Sequence, residues 1–173
     1  MKKLIIDVFY DEEKNIATVC GGIFNEFTDN SCRLIKAALS PIPAPYIPGE
    51  FYKRELPCIQ KLILEEIGLE KLKEEFDCII VDGLYSFGPD KPGLGGYLDS
   101  WLRNQGVEIE VIGIAKNKFH SAQAEEVLRG KSKKPLWVNG NRRKNYSDLI
   151  KKMSGEFRIP FLVKAVDQGS RGI

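Results

Sequence analysis

One short apolar run does most to restrict the fold of this chain. Residues 78–81 contain no polar side chain other than the Cys78 thiol, and Asp82 and Gly83 follow at once. A run this short and apolar is typical of a strand that is covered on both faces in a parallel sheet. Ligands of open α/β sheets bind where such strands end, which favours a functional role for Asp82 over a simple strand-ending turn.

A second carboxylate lies inside another apolar strand. Residues 4–9 predict a first strand near the centre of the sheet, and Asp7 interrupts it. Burying a carboxylate in a central strand is costly unless it is paired or binds a metal ion. Asp7 on a strand next to Asp82 would supply a second acidic group at the same place.

The remaining segments complete an α/β pattern, a mixed sheet flanked by helices, in one domain over residues 1–173. The first three elements predict an antiparallel meander, in which 31–39 fits a third strand or a short helix. Further strands are predicted over 16–24, 110–115 and 136–138. Helices are predicted over 57–67, 69–76, 97–104, 121–128 and 146–153. A loop is predicted over 84–96, and a flexible end after Asp167.

Residues 45–55 combine a rigid turn with an acidic residue. Pro45 and Pro48 restrict the backbone, and Gly49 frees it, so Tyr46 and Ile47 would be held at the tip of a loop. From residue 51 the composition favours a helix, which would place Glu55 about one turn inside. An apolar wedge beside a carboxylate suits an enzyme that distorts a strand and cuts it. A connection that packs Tyr46 under the sheet is the alternative.

Overall charge and cysteine content restrict the class of protein. The net charge of the 173 residues is only +2, although Lys116, Lys118 and the runs 129–134 and 142–144 make the second half basic. Such runs are solvated faces or, less often, phosphate-binding surfaces. The four cysteines show no zinc-binding spacing, so reduced thiols in a cytoplasmic protein are expected. No apolar run approaches the ~20 residues that would span a membrane.

Several segments, in order along the chain, resemble the endonuclease V family. Tyr46-Ile47-Pro48-Gly49 with Arg54-Glu55 is similar to the family's P-Y-I-P-G-x-x-x-x-R-E segment, and 81–83 to its V-D-G strand end. Residues 112–116 resemble its I-G-V-A-K segment, and 158–160 with Asp167 its R-[IL]-P-x-x-x-x-x-x-D. Asp7 falls where the family has its first aspartate. Together these matches cover nearly the whole chain.

The resemblance implies a ribonuclease H-like fold and a nuclease directed at inosine or deoxyinosine in DNA or RNA. It would make Asp7, Glu55, Asp82 and Asp167 ligands of Mg²⁺ or Mn²⁺, with Lys116 near the phosphate that is cut. Hard oxygen ligands suit these ions, which activate water and neutralise charge on a phosphate. Contacts with nucleic acid are implied for Tyr46, Ile47, Pro48, Gly49, Gly83, Leu84 and Asn141. A monomer is expected, with cleavage at the second phosphodiester bond on the 3′ side of the lesion.

Two segments differ from the family's pattern. The family commonly has Gly-His-Gly and then His-Pro-Arg after the strand aspartate, where this chain has Gly83-Leu84-Tyr85 and then residues 87–91. Asn141 stands where the family has the histidine of Gly-His-Arg. A nucleic-acid-binding relative with lost or redirected cleavage is therefore the second hypothesis, and a small structural or partner-binding domain the third. A nucleophile activated by His120, the single histidine, would be expected with a Gly-x-Ser-x-Gly turn, which the chain lacks.

Overall fold

A seven-stranded mixed sheet forms the centre of the protein in the computed structural model, which describes residues 1–119, 122–143 and 145–172. A separate two-stranded hairpin consists of β5 and β6. The strands of the described residues are β1 (Lys2–Asp11), β2 (Ile16–Phe24), β3 (Arg33–Leu39), β4 (Phe76–Asp82), β5 (Ser86–Gly88), β6 (Lys91–Pro92), β7 (Glu110–Ala115), β8 (Glu125–Val127) and β9 (Leu136–Gly140).

Three parallel strands form the middle of this sheet. The spatial order is β3-β2-β1-β4-β7-β9-β8, in which β1, β4 and β7 are parallel and the remaining pairs are antiparallel. Ile6 of β1 pairs with Val81 of β4, so Asp7 and Asp82 are the next residues on two neighbouring strands. The predicted meander and the predicted adjacency of these strands are confirmed.

Helices cover both faces of the sheet. The elements are α1 (Tyr52–Leu62), a π-helical turn (Ile63–Ile67), α2 (Leu69–Glu75), α3 (Leu94–Asn104), α4 (Ser147–Lys152) and α5 (Phe161–Ser170). One core lies between the sheet and α1 to α3 and includes Leu4 and Ile6; the other lies under α4 and α5 and includes Ile5. None of the helices within the described ranges is long and apolar enough to cross a bilayer.

Most of the predicted elements are confirmed, with shifted ends. The element over 31–39 is a strand, and the helix that contains Glu55 begins at Tyr52 as the composition indicates. The predicted loop over 84–96 is wrong in part, because it contains β5 and β6 and the first turn of α3. Gly95 and Gly96 suggested a loop, but a Cβ on Gly96 would lie 2.6 Å from the Tyr85 carbonyl oxygen. These glycines allow close packing of the helix.

Two other predictions are wrong. The predicted helix over 121–128 is replaced by β8, because pairing with β9 buries Val127 at the sheet edge and overrides local propensity; Ser121 lies outside the described residues. The predicted flexible end is wrong in part, because Gly169 and Ser170 are buried in the last turn of α5; Arg171 and Gly172 form an exposed turn, and Ile173 lies outside the described residues. A Cβ on Gly169 would lie 2.6 Å from the Cys20 sulfur, so glycine again permits close packing.

Candidate functional site

Four carboxylates approach one edge of the sheet from four elements. Asp7 lies in β1 and Asp82 ends β4, and strand alternation places both on the face covered by α5. Asp167 lies in α5, the helix that packs on β1 and β2. Glu55 lies in the first turn of α1, from the other side of the sheet. The structure therefore brings together the four acidic residues that the sequence predicted.

The charges of these groups interact. The pKa of Asp7 is raised to about 7, first by burial, then by the negative charge of Asp82, with a further contribution from Asp167. A hydrogen bond from the Val8 backbone N–H, 2.9 Å long, opposes this shift. Like charges that lie near one another raise each other's pKa, so Asp7, Asp82 and Asp167 belong to one group of neighbouring acids.

Glu55 and Asp82 have raised pKa values for the same reasons. Burial is the largest cause for Glu55, whose pKa rises to about 8, followed by the charges of Asp82 and Asp7. Asp82 as a whole residue is exposed at the end of β4. Neighbouring protein atoms nevertheless displace water from around its carboxylate, and this desolvation raises the pKa of Asp82. Lys116 opposes that rise and Asp167 adds to it. At neutral pH the site favours additional positive charge.

The chemistry of the donors fits a hard divalent cation. Among the described residues, no three His, Cys, Asp or Glu side chains converge closely enough to form a finished metal cage. The carboxylates nevertheless offer only oxygen donors, and a cation between them would relieve the repulsion that raises their pKa values. The oxygen donors of Asp7, Glu55, Asp82 and Asp167 are therefore chemically compatible with Mg²⁺ or Mn²⁺.

Lys116 places a positive charge beside these acids. It follows Ala115, the last residue of β7, and its side chain is exposed. Arg158 holds the main chain at this point, because its Nη2 donates to the carbonyl oxygens of Lys116 and, at 2.9 Å, of Pro135. The Arg158 Nε also donates to the Lys134 carbonyl oxygen at 3.0 Å. Arg158 is thus a positioning residue for Lys116.

An open cleft of about 310 Å³ begins at the carboxylates. Glu55, Asp82 and Lys116 form its polar part. Its apolar and aromatic walls include Leu84, Leu94, Phe51, Tyr52, Phe87 and Phe119. Gly83 and Leu84, which the sequence predicted to shape a pocket, both line it. Its walls are mostly apolar, and its ionisable groups are few.

The sheet needs glycine at position 113 to form this cleft. A Cβ on Gly113 would lie 2.1 Å from the Gly83 carbonyl oxygen and 2.5 Å from the Tyr85 nitrogen. Real Cβ atoms do not approach backbone atoms so closely, so an alanine here would push the segment after Asp82 away from β7.

The turn at Tyr46 is exposed beside the cleft. Tyr46 is 63% exposed and Ile47 42%, so the alternative that packs Tyr46 under the sheet is wrong. The Tyr46 ring rests edge-on against Phe51, with centroids 5.0 Å apart. Gly49, with φ of 84°, adopts the left-handed conformation that ends this turn and also lines the cleft. Pro48 is exposed with its neighbours.

Asn141 lies apart from the other predicted residues. Its Oδ1 accepts a hydrogen bond from the Val111 N–H at 2.9 Å, and its Nδ2 donates to the Ile109 carbonyl oxygen at 3.0 Å. Both partners are at the beginning of β7, opposite the end that leads to Lys116. The structure gives this amide a structural role, and a contact with nucleic acid stays a prediction.

Sequence reasoning did not single out the aromatic walls. Phe51 and Tyr52 come soon after Gly49, and Phe119 lies three residues after Lys116. Their closeness in sequence to these motifs could have been used to predict that they line the site. Phe87 carried no such signal, because its position depends on the hairpin. His120 lies outside the described residues.

Comparison with known proteins supports one family. The family model for endonuclease V matches residues 4–160. The fold is similar to that of an endonuclease V variant from Ciona intestinalis in complex with a 23mer DNA containing an inosine followed by a ribo-adenosine. The sequence identity is 19% and the TM-score 0.77, over 99% of this chain and 84% of that chain.

Two further solved structures agree. Endonuclease V from Streptomyces avermitilis has 18% identity and a TM-score of 0.67, over 99% of this chain and 80% of that one. The catalytic domain of human endonuclease V has 17% identity and a TM-score of 0.68, over 99% and 81%. A search of curated proteins found no match. The fold shared with these structures is ribonuclease H-like. Since the family model covers most of its length, the chain belongs to the endonuclease V family and is a nuclease, a hydrolase that acts on phosphodiester bonds.

Proposed function

We propose that residues 1–173 form one catalytic domain that cuts inosine- or deoxyinosine-containing nucleic acid in a metal-dependent reaction. The observation that carries the proposal is an acidic group beside a largely apolar cleft: Glu55 and Asp82 line the cleft, and the charges of Asp7 and Asp167 act on Asp82 or its neighbours. Relatives crystallised with inosine-containing DNA support the choice of substrate. The bond cut would be the second phosphodiester 3′ of the altered base.

The carboxylates would hold Mg²⁺ or Mn²⁺. Such an ion, when bound, activates water and neutralises charge that develops on a phosphate. Without it, the four acids would repel the phosphodiester and oppose its approach. Lys116 has the opposite effect, since its exposed ammonium beside Asp82 attracts the substrate phosphate and stabilises added charge during hydrolysis. Arg158 keeps the Lys116 main chain in place for this contact.

The apolar cleft would receive the base that leaves the stack. Enzymes that act at one base often extrude it, and an altered base costs less to unstack because its pairing is weaker. Leu84 and Gly83 lie directly after Asp82, so a base in the cleft would place its own backbone near the carboxylates. Tyr46 and Ile47 at the exposed turn would fill the space that the base leaves.

The experiment that tests the proposal is cleavage of end-labelled inosine-containing DNA and RNA strands. Strands with adenosine at the same position serve as controls, each in Mg²⁺, Mn²⁺ and EDTA. We expect a cut one nucleotide beyond inosine that requires the metal. Binding without cutting would favour a relative with lost activity, which the changed segment 84–91 makes the second candidate. A cut independent of inosine would contradict the proposed substrate.

Tyr46→Ala is expected to weaken binding to an inosine-containing strand by about 10-fold, since an aromatic ring that contacts a base contributes on this order. The ring is exposed and removing it leaves no cavity, so the melting temperature is expected to stay unchanged. Fluorescence anisotropy with labelled strands gives the affinity. Phe157→Ala, which removes an exposed ring between α4 and α5, is the matched control. Equal affinities of the two variants would contradict the wedge.

Cytoplasmic location and the monomeric state stay predictions. The four cysteines are free, and Cys20, Cys58 and Cys78 are buried. The reduced state of these thiols in the cell also stays a prediction.

A further inference from the structure

Two aromatic rings in the walls of the cleft contact each other. The rings of Phe87 and Phe119 meet edge to face, with centroids 4.9 Å apart and an interplanar angle of 66°. Phe87 lies in β5, after the strand that ends at Asp82, and Phe119 lies after the strand that leads to Lys116. The pair therefore joins the segments that leave the two central strands of the site.

The segment that carries Phe87 is held firmly. The Asn139 side chain accepts a hydrogen bond from the Tyr85 N–H at 2.7 Å and donates to the Ser86 carbonyl oxygen at 2.9 Å. Ser86 also bonds to Gly88 across Phe87, since its hydroxyl donates to the Gly88 carbonyl oxygen at 2.8 Å. Phe87 thus lies between Ser86 and Gly88, and the hydrogen bonds to their carbonyl oxygens hold the backbone on both sides of the Phe87 side chain.

The other walls of the cleft leave few groups that could recognise the edge of a base. Leu84, Leu94 and Phe51 are apolar. Apart from the carboxylates and Lys116, the lining side chains that carry hydrogen-bonding groups are Tyr52 and Asn117, among the residues that the structure describes. The cleft offers much aromatic surface and few polar groups, so a planar heterocycle fits it through its face.

We propose that Phe87 and Phe119 are base-binding residues, which hold the extruded purine by its face next to the carboxylates. This inference rests on the proposed function and adds the residues that bind the base. Stacking accepts any purine, because every base has a π-face. The side-chain amide of Asn117 can form hydrogen bonds with either hypoxanthine or adenine, because a rotation of the amide exchanges the positions of its donor NH₂ and its acceptor oxygen. Selection would therefore depend mainly on how easily a base leaves the stack.

Phe87→Ala is expected to lower the affinity for an inosine-containing strand by about 10-fold, the usual scale for a lost stacking contact. The affinity for a fully paired duplex without inosine should not change, because no base enters the cleft. Binding is measured by anisotropy in Mg²⁺, with strands in which a non-hydrolysable linkage replaces the second phosphodiester 3′ of inosine, so that the metal is present and the strands stay intact. Cleavage at inosine by the unaltered protein in Mg²⁺ is measured in parallel.

Two further variants separate stacking from packing. Phe87→Leu keeps most of the volume but has no aromatic face, whereas Phe87→Tyr keeps the face. We expect the leucine variant to lose the preference for inosine and the tyrosine variant to retain it, at equal melting temperatures. A leucine variant that binds the inosine-containing strand as tightly as the unaltered protein would overturn the role of Phe87 but not the proposed function. An unaltered protein that neither prefers nor cuts inosine strands would overturn the proposed function as well.

Discussion

Asp82→Asn is expected to reduce metal-dependent cleavage by at least about 100- to 1,000-fold, the effect of removing a group that acts on developing charge. Asp82 lies at the centre of the acidic site, because its charge raises the pKa of both Asp7 and Glu55. Asparagine has the same shape and removes one negative charge. Cleavage of an inosine-containing strand in Mg²⁺ measures the loss.

This variant is also expected to melt no lower than the unaltered protein in metal-free buffer at pH 8. The substitution removes a desolvated negative charge that repels the neighbouring carboxylates, so the folded state loses an unfavourable interaction. Active sites often keep such interactions because the activity requires them, at a cost in stability. Glu13→Gln, an exposed change of the same charge in the turn between β1 and β2, is the control and should leave both cleavage and melting unchanged. Full cleavage by Asp82→Asn would exclude Asp82 from the site, whereas a large drop in melting temperature would mean that the loss reflects misfolding.

The melting temperature of the metal-free protein is expected to fall by roughly 5 °C as the pH rises from about 5 to about 8. The unfolded chain releases the Asp7 and Glu55 protons near their ordinary pKa values of 3.8 and 4.5, whereas the folded protein releases them near 7 and 8. Between these values the folded state binds more protons. The free energy of unfolding therefore decreases with pH and levels off above the folded pKa values.

Mg²⁺ at pH 8 should reverse this loss. A ligand at about 100 times its Kd adds about 2.7 kcal/mol to the free energy of unfolding, which corresponds to about 5–10 °C for a chain of this size. Scanning calorimetry between pH 5 and 9, with and without Mg²⁺, gives both effects. Asp7→Asn should show a weaker pH dependence and a smaller response to Mg²⁺. An identical profile for this variant would contradict the assignment of the raised pKa to Asp7.

The central part of the fold and of the acidic site could be predicted because their signals are local. Strand 78–81 is apolar throughout and ends in Asp82, so its burial and its functional end can be inferred from consecutive residues. Asp7 could be inferred because a charge inside an apolar strand demands a partner. The resemblance to a family supplied Glu55, Lys116 and Asp167, for which spacing alone gives no contact.

The parts that could not be predicted depend on contacts between distant residues. Glycines at 95 and 96 suggested a loop, whereas the structure uses them to bring α3 against Tyr85. Residues 125–127 pair with β9, and this tertiary contact outweighs their helix propensity. Phe87 lies in a hairpin that Asn139, more than 50 positions away, helps to hold in place through hydrogen bonds to Tyr85 and Ser86.

The placement of Asp167 in α5 has a consequence for partial unfolding of the protein. β1 contributes Asp7, and α5 packs on β1 and brings Asp167 toward it. A local opening that separates α5 from the sheet would therefore remove Asp167 from the acidic set, while the pairing of β1 with β4 keeps Asp7 beside Asp82. The completeness of the acidic set thus depends on the docking of one helix against the sheet.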